Sequence, residues 1–243
     1  MNIFKTRGLV LREYETGEPD KRIIMLCKNY GKVMLYMRGA RKAKSKFLTA
    51  SQLFTYSDLI IADGRTSGKQ FYTLTQADII ESFYQIRHDY DKLIHAQYML
   101  EICDKAIPER TNCDDLLLLL LKTLQILNSG KTAPKLAVRI FLFRFFLING
   151  ISPEMDKCSV CGGGLNSAGV FFHEGMVCIK CRVQNSIPLS APAQYALRHI
   201  IKSDLKNAFL FHVPDNVVDE LAMAAKLCRD YHFSIYLNTE KLI

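Results

Sequence analysis

Two pairs of cysteines have the spacing of a metal site. Cys158 and Cys161 form the first pair, and Cys178 and Cys181 form the second pair after sixteen intervening residues. Four thiolates on two tight turns match a tetrahedral zinc site, and the glycines directly after the first pair let the backbone turn closely around a metal. Because four protein ligands leave no open coordination position, the spacing predicts one structural Zn²⁺ and no hydrolytic metal.

Other readings of these cysteines and their neighbours stay open. Four buried free thiols are the alternative to a zinc site. His173 lies between the two pairs and is an alternative ligand, although we interpret it as a surface histidine. The remaining cysteines have no paired spacing and are interpreted as packing residues: Cys27, Cys103, Cys113 and Cys228.

A run of cations between Arg38 and Lys46 is the second chemical signal. Five of these nine residues are Lys or Arg, and the run directly follows a strand-like segment. A loop of this kind can follow a phosphate backbone, because neutralised phosphates release their counterions. A solvated loop without a binding role is the alternative. The sequence predicts DNA contacts at Arg38, Arg41, Lys42, Lys44 and Lys46, and further contacts at Lys5, Arg7, Arg12, Lys21 and Arg22.

The distribution of charge supports a polyanionic partner. The chain has 243 residues and a formal net charge of +8. Residues 1–48 contain twelve Lys or Arg and four Asp or Glu, whereas the rest of the chain contains twenty of each. Lys28 and Lys32 belong to the same basic segment. We therefore expect the N-terminal region to form one cationic pole that binds nucleic acid.

Aromatic residues in the same region are candidate stacking platforms for bases. Aromatic side chains on strands are more often core residues, and we favour that interpretation for each of them. The candidates are Tyr36, Phe47, Phe54, Tyr56, Phe71 and Tyr72.

The first 80 residues have the pattern of short strands that form a small closed or half-closed barrel. The pattern predicts strands at Leu9–Leu11, Ile23–Cys27, Gly31–Met37, Ser57–Ile61 and Gln70–Leu74, separated by turn residues. Gly64–Gln70 is one residue short of a phosphate-binding loop and lacks its final Ser or Thr, so it is interpreted as a hairpin turn.

The apolar period becomes helical after about residue 80. Helices are predicted from Tyr90, over Asp114–Leu127 and Pro134–Ile148, and, after the cysteine segment, over Ala191–Lys202 and Val217–Tyr231. Arg139 and Arg144 in the third helix are weak candidates to bind an acidic tail, but we favour a core helix with cations that reach the surface.

Several function classes lack support in the sequence. No segment reaches the roughly 20 apolar residues of a membrane span, and no secretory signal is apparent. A cytoplasmic protein is therefore expected. No nucleophile, base or deaminase pattern has a diagnostic spacing, so we predict no enzyme activity. A zinc-ribbon RNA-binding or translation-associated factor and a nucleic-acid-processing enzyme remain alternatives.

Two ordered groups of motifs resemble one known family. The first group is Gly31–Val33 with Arg38–Lys42, Ser45, Leu53–Phe54 and Leu74–Asp78, and the second is Gly150–Pro153 with the two cysteine pairs and Gly175–Val177. This order, which extends along nearly the whole chain, is similar to the bacterial RecO family of recombination mediators. The combination is more specific than any one of its motifs.

The resemblance implies a fold and a set of partners. The implied fold is α+β and multidomain, with an N-terminal OB-fold barrel at 1–80, a helical domain at 81–152 and 188–243, and a zinc-ribbon-like insert at 153–187. The family binds single- and double-stranded DNA, anneals complementary strands and works with RecR to load RecA onto strands coated with single-stranded-DNA-binding protein. It also binds the C-terminal tail of that protein, and it acts at the bacterial nucleoid during repair.

Overall fold

The structure is a computed structural model that describes residues 2–66, 69–109, 111–165 and 169–243. Its contacts group the chain into two compact units: Met1–Ser129 with Leu237–Ile243, and Gly130–Tyr236. The predicted domain boundaries at residues 80, 152 and 187 stay a prediction, because contact density does not measure which segments fold independently. Each unit is described by itself below.

The first unit begins with a closed five-stranded barrel. Its strands are β1 (Asn2–Thr16), β2 (Asp20–Cys27), β3 (Gly31–Met37), β4 (Tyr56–Thr66) and β5 (Lys69–Glu81). The order around the barrel is β1-β2-β3-β5-β4, with β4 returning to β1. The β3–β5 pair is parallel and the other pairs are antiparallel. The barrel prediction is therefore confirmed; the tip of the predicted Gly64–Gln70 turn, Ser67 and Gly68, lies outside the described residues.

Strand β1 is long enough to close the barrel because it pairs with two neighbours. Its first half, Asn2–Leu9, pairs with β4, and its second half, from Gly8 onward, pairs with β2. A register shift between Val10 and Arg12 bends the strand at the change of partner, as β-bulges do. Consequently, residues near the two ends of β1 face different parts of the barrel surface.

The connection between β3 and β4 folds back onto the barrel. Residues 38–55 form a series of turns, and Ala40 and Phe47 from this segment are buried in the barrel core. They pack with apolar residues from all five strands, among them Val10, Ile23, Leu35, Ile61 and Leu74. Burying an aromatic side chain of this size stabilises a fold by about 2–3 kcal/mol, so the segment is held at one end of the barrel.

Two helices complete the first unit: α1 (Tyr90–Ala106) and α2 (Asp114–Ser129). Asp89 caps α1 by accepting a hydrogen bond from the Lys92 backbone N–H at 3.1 Å. The buried Asp104 of α1 forms ion pairs with Arg12 at 3.3 Å and Lys32 at 3.6 Å, which tie the helix to the barrel.

The second unit is built around α3 (Pro134–Ile148). Nine residues of α3 are buried, and its Phe145 and Phe146 rings pack against Phe233. Arg144 donates hydrogen bonds to the carbonyl oxygens of Ile200 at 3.2 Å and Ser203 at 2.7 Å. The interpretation of α3 as a core helix is confirmed, and Arg144 satisfies carbonyl groups where the next helix ends.

The rest of the second unit comprises two helices and a small sheet. The helices are α4 (Ala191–Lys202) and α5 (Asp215–His232), and the sheet contains β6 (Val170–Phe172), β7 (Gly175–Val177) and β8 (Ile187–Pro188) in the order β7-β6-β8. Across the described parts of both units, no helix combines the length and apolar content needed to cross a bilayer.

Candidate nucleic-acid interface and metal centre

The basic loop, residues Arg38–Lys46, is a shaped surface and not a free tether. Ala40 at its start is 1% exposed, and Phe47 directly after it is 7% exposed. Lys42 and Lys44 between these two anchors are exposed, and so is Arg38 just before Ala40. The barrel core therefore fixes both ends of the loop, and its cations point outward.

Asp20 at the start of β2 sets the path of the basic loop. One carboxylate oxygen accepts a hydrogen bond from the Gly39 backbone N–H at 2.8 Å, and the other accepts one from the Tyr36 hydroxyl. These two donors stabilise the carboxylate and hold the pKa of Asp20 below its usual range. The Arg41 backbone N–H also donates to the Pro19 carbonyl at 3.0 Å. The loop thus lies against the turn between β1 and β2.

The cations of the basic loop differ in how far they are neutralised. Arg41 forms an exposed ion pair with Glu15 at 3.2 Å, and Lys46 donates to the Thr75 carbonyl at 2.9 Å. Within the described residues, Arg38, Lys42 and Lys44 have no carboxylate at ion-pair distance. An exposed pair such as Arg41–Glu15 contributes about 0–1 kcal/mol and can exchange partners, so most of the loop charge is open to a polyanion.

Arg22 extends this surface from the loop onto the strands. In the barrel register, Arg22 of β2 lies between Tyr14 of β1 and Tyr36 of β3. Directly opposed residues of antiparallel strands share one face of the sheet. The exposed Arg22 therefore lies between two half-buried tyrosines, on the strand face that leads to the loop.

Two cations of the predicted DNA-contacting set are paired with carboxylates, and the role of the set in DNA binding stays a prediction. The Lys21 side chain is 15% exposed, forms an ion pair with Glu13 and donates to the Ser51 hydroxyl at 3.3 Å. Arg12 is paired with Asp104. Internal carboxylates therefore hold these two cations, and both contribute to the stability of the first unit.

Lys5 and Arg7 are separated from the loop by the length of β1. In the register of β1 with β4, they lie opposite Ile60 and Asp58. Arg7 is paired with Asp58 at 2.8 Å. The structure thus divides the ten predicted DNA-contacting residues into a loop group, a group at the first half of β1 and two internally paired cations.

Two of the six aromatic candidates are buried core residues, as favoured, and the other four are half-buried or exposed. Phe47 and Phe54 are buried, and the half-buried Tyr72 packs edge-on to Phe4 with ring centroids 5.9 Å apart. Tyr36 and Tyr56 are half-buried, and Phe71 is 38% exposed.

The two cysteine pairs come together in space. The sulfur atoms of Cys158, Cys161, Cys178 and Cys181 all lie within 4.8 Å of one another. The Cys161 and Cys178 sulfurs are 3.9 Å apart. A tetrahedral zinc with Zn–S bonds of about 2.3 Å places its sulfurs about 3.8 Å apart, so the donor set and its spacing fit Zn²⁺.

Local backbone geometry builds each half of this metal centre. Gly162 has φ +72°, and its N–H donates to the Cys158 carbonyl at 2.9 Å, which closes the first turn. Gly175 begins β7 with φ +127°, and a Cβ there would lie 2.1 Å from the Glu154 carbonyl oxygen. Only glycine fits that position, so the hairpin can pack closely against the strand-like segment before the first pair.

The thiols of the metal centre differ in pKa. Backbone N–H groups of Cys161 and Cys178 point at the Cys158 sulfur and lower the pKa of that thiol to about 6. The neighbouring thiols Cys178 and Cys161 raise the pKa of Cys181 to about 12. Four thiolates at this separation repel one another unless a divalent cation neutralises them, so the geometry indicates a metal site.

The interpretation of His173 as a surface residue is wrong. Only 8% of His173 is exposed, and its ring stacks on Tyr231 with centroids 3.4 Å apart. Burial lowers the pKa of His173. The Cys228 thiol donates to the His173 carbonyl at 3.3 Å. His173 lies outside the sulfur cluster and anchors the β6–β7 hairpin to α5.

Residues missed by sequence reasoning are mainly acids and anchors. Glu13 and Glu15 pair with cations, Asp20 holds the loop backbone, and Ala40 anchors the start of the loop, whereas Phe47 at its other end was already favoured as a core residue. The only available signal was the placement of a small and an aromatic apolar residue at the two ends of a cationic run. The sequence contains no such signal for the acids, because strand register determines which cation each acid meets.

Fold and site together define a class of protein in which an OB-type barrel with a cationic loop accompanies a helical region and a four-cysteine centre. The family models described as Recombination protein O N terminal and Recombination protein O C terminal match residues 1–83 and 87–241. The chain therefore belongs to the RecO family of recombination and DNA-repair proteins.

Curated relatives agree with this membership. The chain is 34% identical over 230 residues to the DNA repair protein RecO of Acetivibrio thermocellus. The aligned region covers 93% of this chain and 90% of the relative. It is 30% identical over 227 residues to that of Dehalococcoides mccartyi, covering 92% and 88%. It is 28% identical over 233 residues to that of Symbiobacterium thermophilum, covering 92% and 90%.

Proposed function

We propose that this protein binds DNA through its barrel and anneals complementary strands as a recombination mediator. The observation that carries the proposal is the anchored basic loop, in which Arg38, Lys42 and Lys44 are exposed and, among the described residues, have no carboxylate at ion-pair distance. Contacts of Lys and Arg with phosphates position a strand but do not read its sequence. A protein that must act at any damaged site needs binding of this kind.

Annealing follows from charge neutralisation. Two complementary strands repel each other through their phosphates, and a cationic surface that holds a strand lowers this repulsion. The exposed Arg22 beside Tyr14 and Tyr36 can contact nucleotides that leave the loop. Nothing in this sequence of events breaks a covalent bond, so the proposed activity is binding and scaffolding and not catalysis.

Family membership supports the proposal for partners. RecR, RecA and the C-terminal tail of single-stranded-DNA-binding protein are the proposed protein partners, and single- and double-stranded DNA are the proposed nucleic acids. In this proposal the protein helps to load RecA onto coated single strands at the nucleoid. Cys158, Cys161, Cys178 and Cys181 hold one structural Zn²⁺ that supports the second unit.

The basic loop is tested by removing its cations. In the variant R41A/K42A/K44A/K46A, the affinity for a single-stranded oligonucleotide should fall. Each lost phosphate contact removes about 0.7 from the slope of log affinity against log salt, so the magnitude of the slope should decrease by about 3. Fluorescence anisotropy at several salt concentrations measures both quantities, and structured RNA as a competitor tests the preference for DNA.

The control variant K131A/K135A removes exposed lysines of the second unit and should keep the wild-type slope. An unchanged slope in the loop variant would exclude the loop from the DNA interface.

A further inference from the structure

A second group of cations lies in a groove over the first half of β1. The groove has a volume of about 490 Å³. Lys5 and Arg7 of β1 line one side, and Lys28, at the turn after β2, lines the other. The Lys28 backbone N–H donates to the Arg7 carbonyl at 2.8 Å, and the Thr6 hydroxyl donates to the Lys28 carbonyl at 2.7 Å. These bonds fix Lys28 beside β1.

The groove carries a net charge of +1, because three cations and two carboxylates line it. Asp58 is paired with Arg7 at 2.8 Å, and Asp78 accepts a hydrogen bond from the Gln76 amide at 2.8 Å. Lys5 and Lys28 are exposed, and within the described residues neither has a carboxylate at ion-pair distance. Two mobile ammonium groups thus face the same opening.

The lining chemistry fits a nucleic-acid backbone better than a protein. Among the described residues, the apolar side chains that line the groove are the buried Leu59 and the half-buried Ile60, and none of the lining side chains in that part of the chain is aromatic. Protein interfaces depend on exposed aromatic and apolar anchors. Phosphate and sugar contacts instead use Lys, Arg, Thr, Asn and Gln, which are the residue types found here.

The groove is distinct from the basic loop. Gly39 and Arg41 of the loop are hydrogen-bonded to Asp20 and Pro19 where β2 begins, whereas Lys28 of the groove lies in the turn after β2. Lys46 at the end of the loop donates to the Thr75 carbonyl, next to Gln76 of the groove, so the two surfaces approach each other at this residue.

We propose that this groove is a second polynucleotide site, which binds the sugar-phosphate backbone of a second strand while the basic loop holds the first. This inference rests on the proposed function of the loop. Two strands bound to one molecule meet at an effective concentration in the millimolar range, which speeds pairing without base recognition by the protein.

The test uses the full-length zinc-loaded protein and the variant K5A/K28A. Anisotropy measures the binding of a first labelled strand. Energy transfer between this strand and a second, non-complementary labelled strand measures simultaneous capture, and complementary strands give the annealing rate. K5A/K28A should lower second-strand capture and annealing by about tenfold, well beyond any effect on first-strand affinity. K131A/K135A removes the same charge elsewhere and should match the wild type, and K5Q/K28Q replaces K5A/K28A if that variant does not fold.

Each result decides between the two sites. Wild-type capture and annealing by K5A/K28A would overturn the second site and leave the basic-loop proposal intact. Equal losses of first- and second-strand binding would also overturn it, because a single continuous surface would then explain both. If the wild-type protein binds no single strand, the proposed function itself fails and the second site fails with it.

Discussion

Cys158 occupies the most enclosed position among the four sulfur ligands. It is 1% exposed, and the Cys178 backbone N–H donates to its sulfur at 3.3 Å. It also packs with Val170 and Val177 of the small sheet. A metal bound here therefore links the first turn of the centre to the hairpin, and metal binding is coupled to folding.

Substitution of Cys158 by Ser should release the metal. The hydroxyl oxygen is a poor zinc ligand, so we expect elemental analysis to find about one zinc per wild-type chain and almost none in C158S. The midpoint of thermal unfolding should fall by about 10 °C. C113S is the control, because Cys113 lies outside the cluster and a hydroxyl can keep its hydrogen bond to the Thr111 carbonyl. Full zinc content in C158S, or none in the wild type, would contradict a four-thiolate site.

Residue roles could be predicted where the signal is local in the sequence. The four cysteines could be predicted because each pair forms one turn and a metal fixes the distance between pairs. The role of Lys21 could not, because its partner Glu13 is brought opposite only by the β1–β2 register. His173 lies between Phe172 and Glu174 in the sequence, and its burial depends on the Tyr231 ring of α5, which lies far along the chain.

The segment between β3 and β4 holds the cations of the basic loop in a fixed place on the barrel. Its turns are closed by successive backbone hydrogen bonds, and Ala40 and Phe47 insert into the barrel core. The Lys46 ammonium lies 4.9 Å from the centroid of the Phe47 ring, so the anchor also positions a cation. The same side chain thus stabilises the barrel and orders the basic loop.

Truncation of Phe47 should weaken DNA binding beyond its effect on stability. F47A should lower the free energy of unfolding by about 3–5 kcal/mol, and because it frees the loop, it should reduce single-strand affinity several-fold under conditions where the protein remains folded. Urea denaturation and anisotropy measure the two effects. L74A removes a buried residue of the same core from β5 and serves as the control. Equal losses of affinity in F47A and L74A would show that the loop needs no anchor.

Element boundaries were predictable where capping and period agree. The predicted bounds of α3 and α4 agree with the structure, because Pro lies at the first or second position of each helix and turn residues follow the helix. The prediction of β3 is confirmed, but the other four barrel strands were predicted too short; β1, for example, extends over fifteen residues by changing partners at a bulge. Such an extension depends on β4, whose pairing is not visible in the local pattern.

At the scale of the whole molecule, the chain leaves the first unit at Ser129 and returns to it with Leu237–Ile243. Leu237 is buried, and the residues that follow it are hydrogen-bonded to Glu101 of α1. The Glu101 carboxylate accepts hydrogen bonds from the Asn238 and Thr239 backbone N–H groups, both at 2.9 Å, and from the Thr239 hydroxyl at 2.6 Å. The last residues of the chain are thus part of the first unit.

Glu101 should make this attachment dependent on pH. Its burial favours the neutral acid, but hydrogen bonds from Lys105, Thr239 and the Asn238 backbone outweigh burial and lower the pKa of Glu101 from 4.5 to about 2. A carboxyl group with a depressed pKa stabilises the fold above its unfolded pKa and loses that effect as the pH falls through the folded value. E101Q should therefore cost roughly 1–2 kcal/mol at pH 7, and the difference from wild type should shrink between about pH 5 and pH 2.

The pH dependence separates this attachment from a general effect of charge. Removing any carboxylate from a cationic protein increases net repulsion, and E18Q reproduces that change at an exposed residue of the β1–β2 turn. Urea titrations should show a pH-dependent loss for E101Q and almost none for E18Q, and hydrogen exchange at Asn238 and Thr239 should accelerate only in E101Q. Because the same backbone N–H groups donate to Glu101, unchanged exchange at these two amides would contradict an attachment through this carboxylate, whatever happens to global stability.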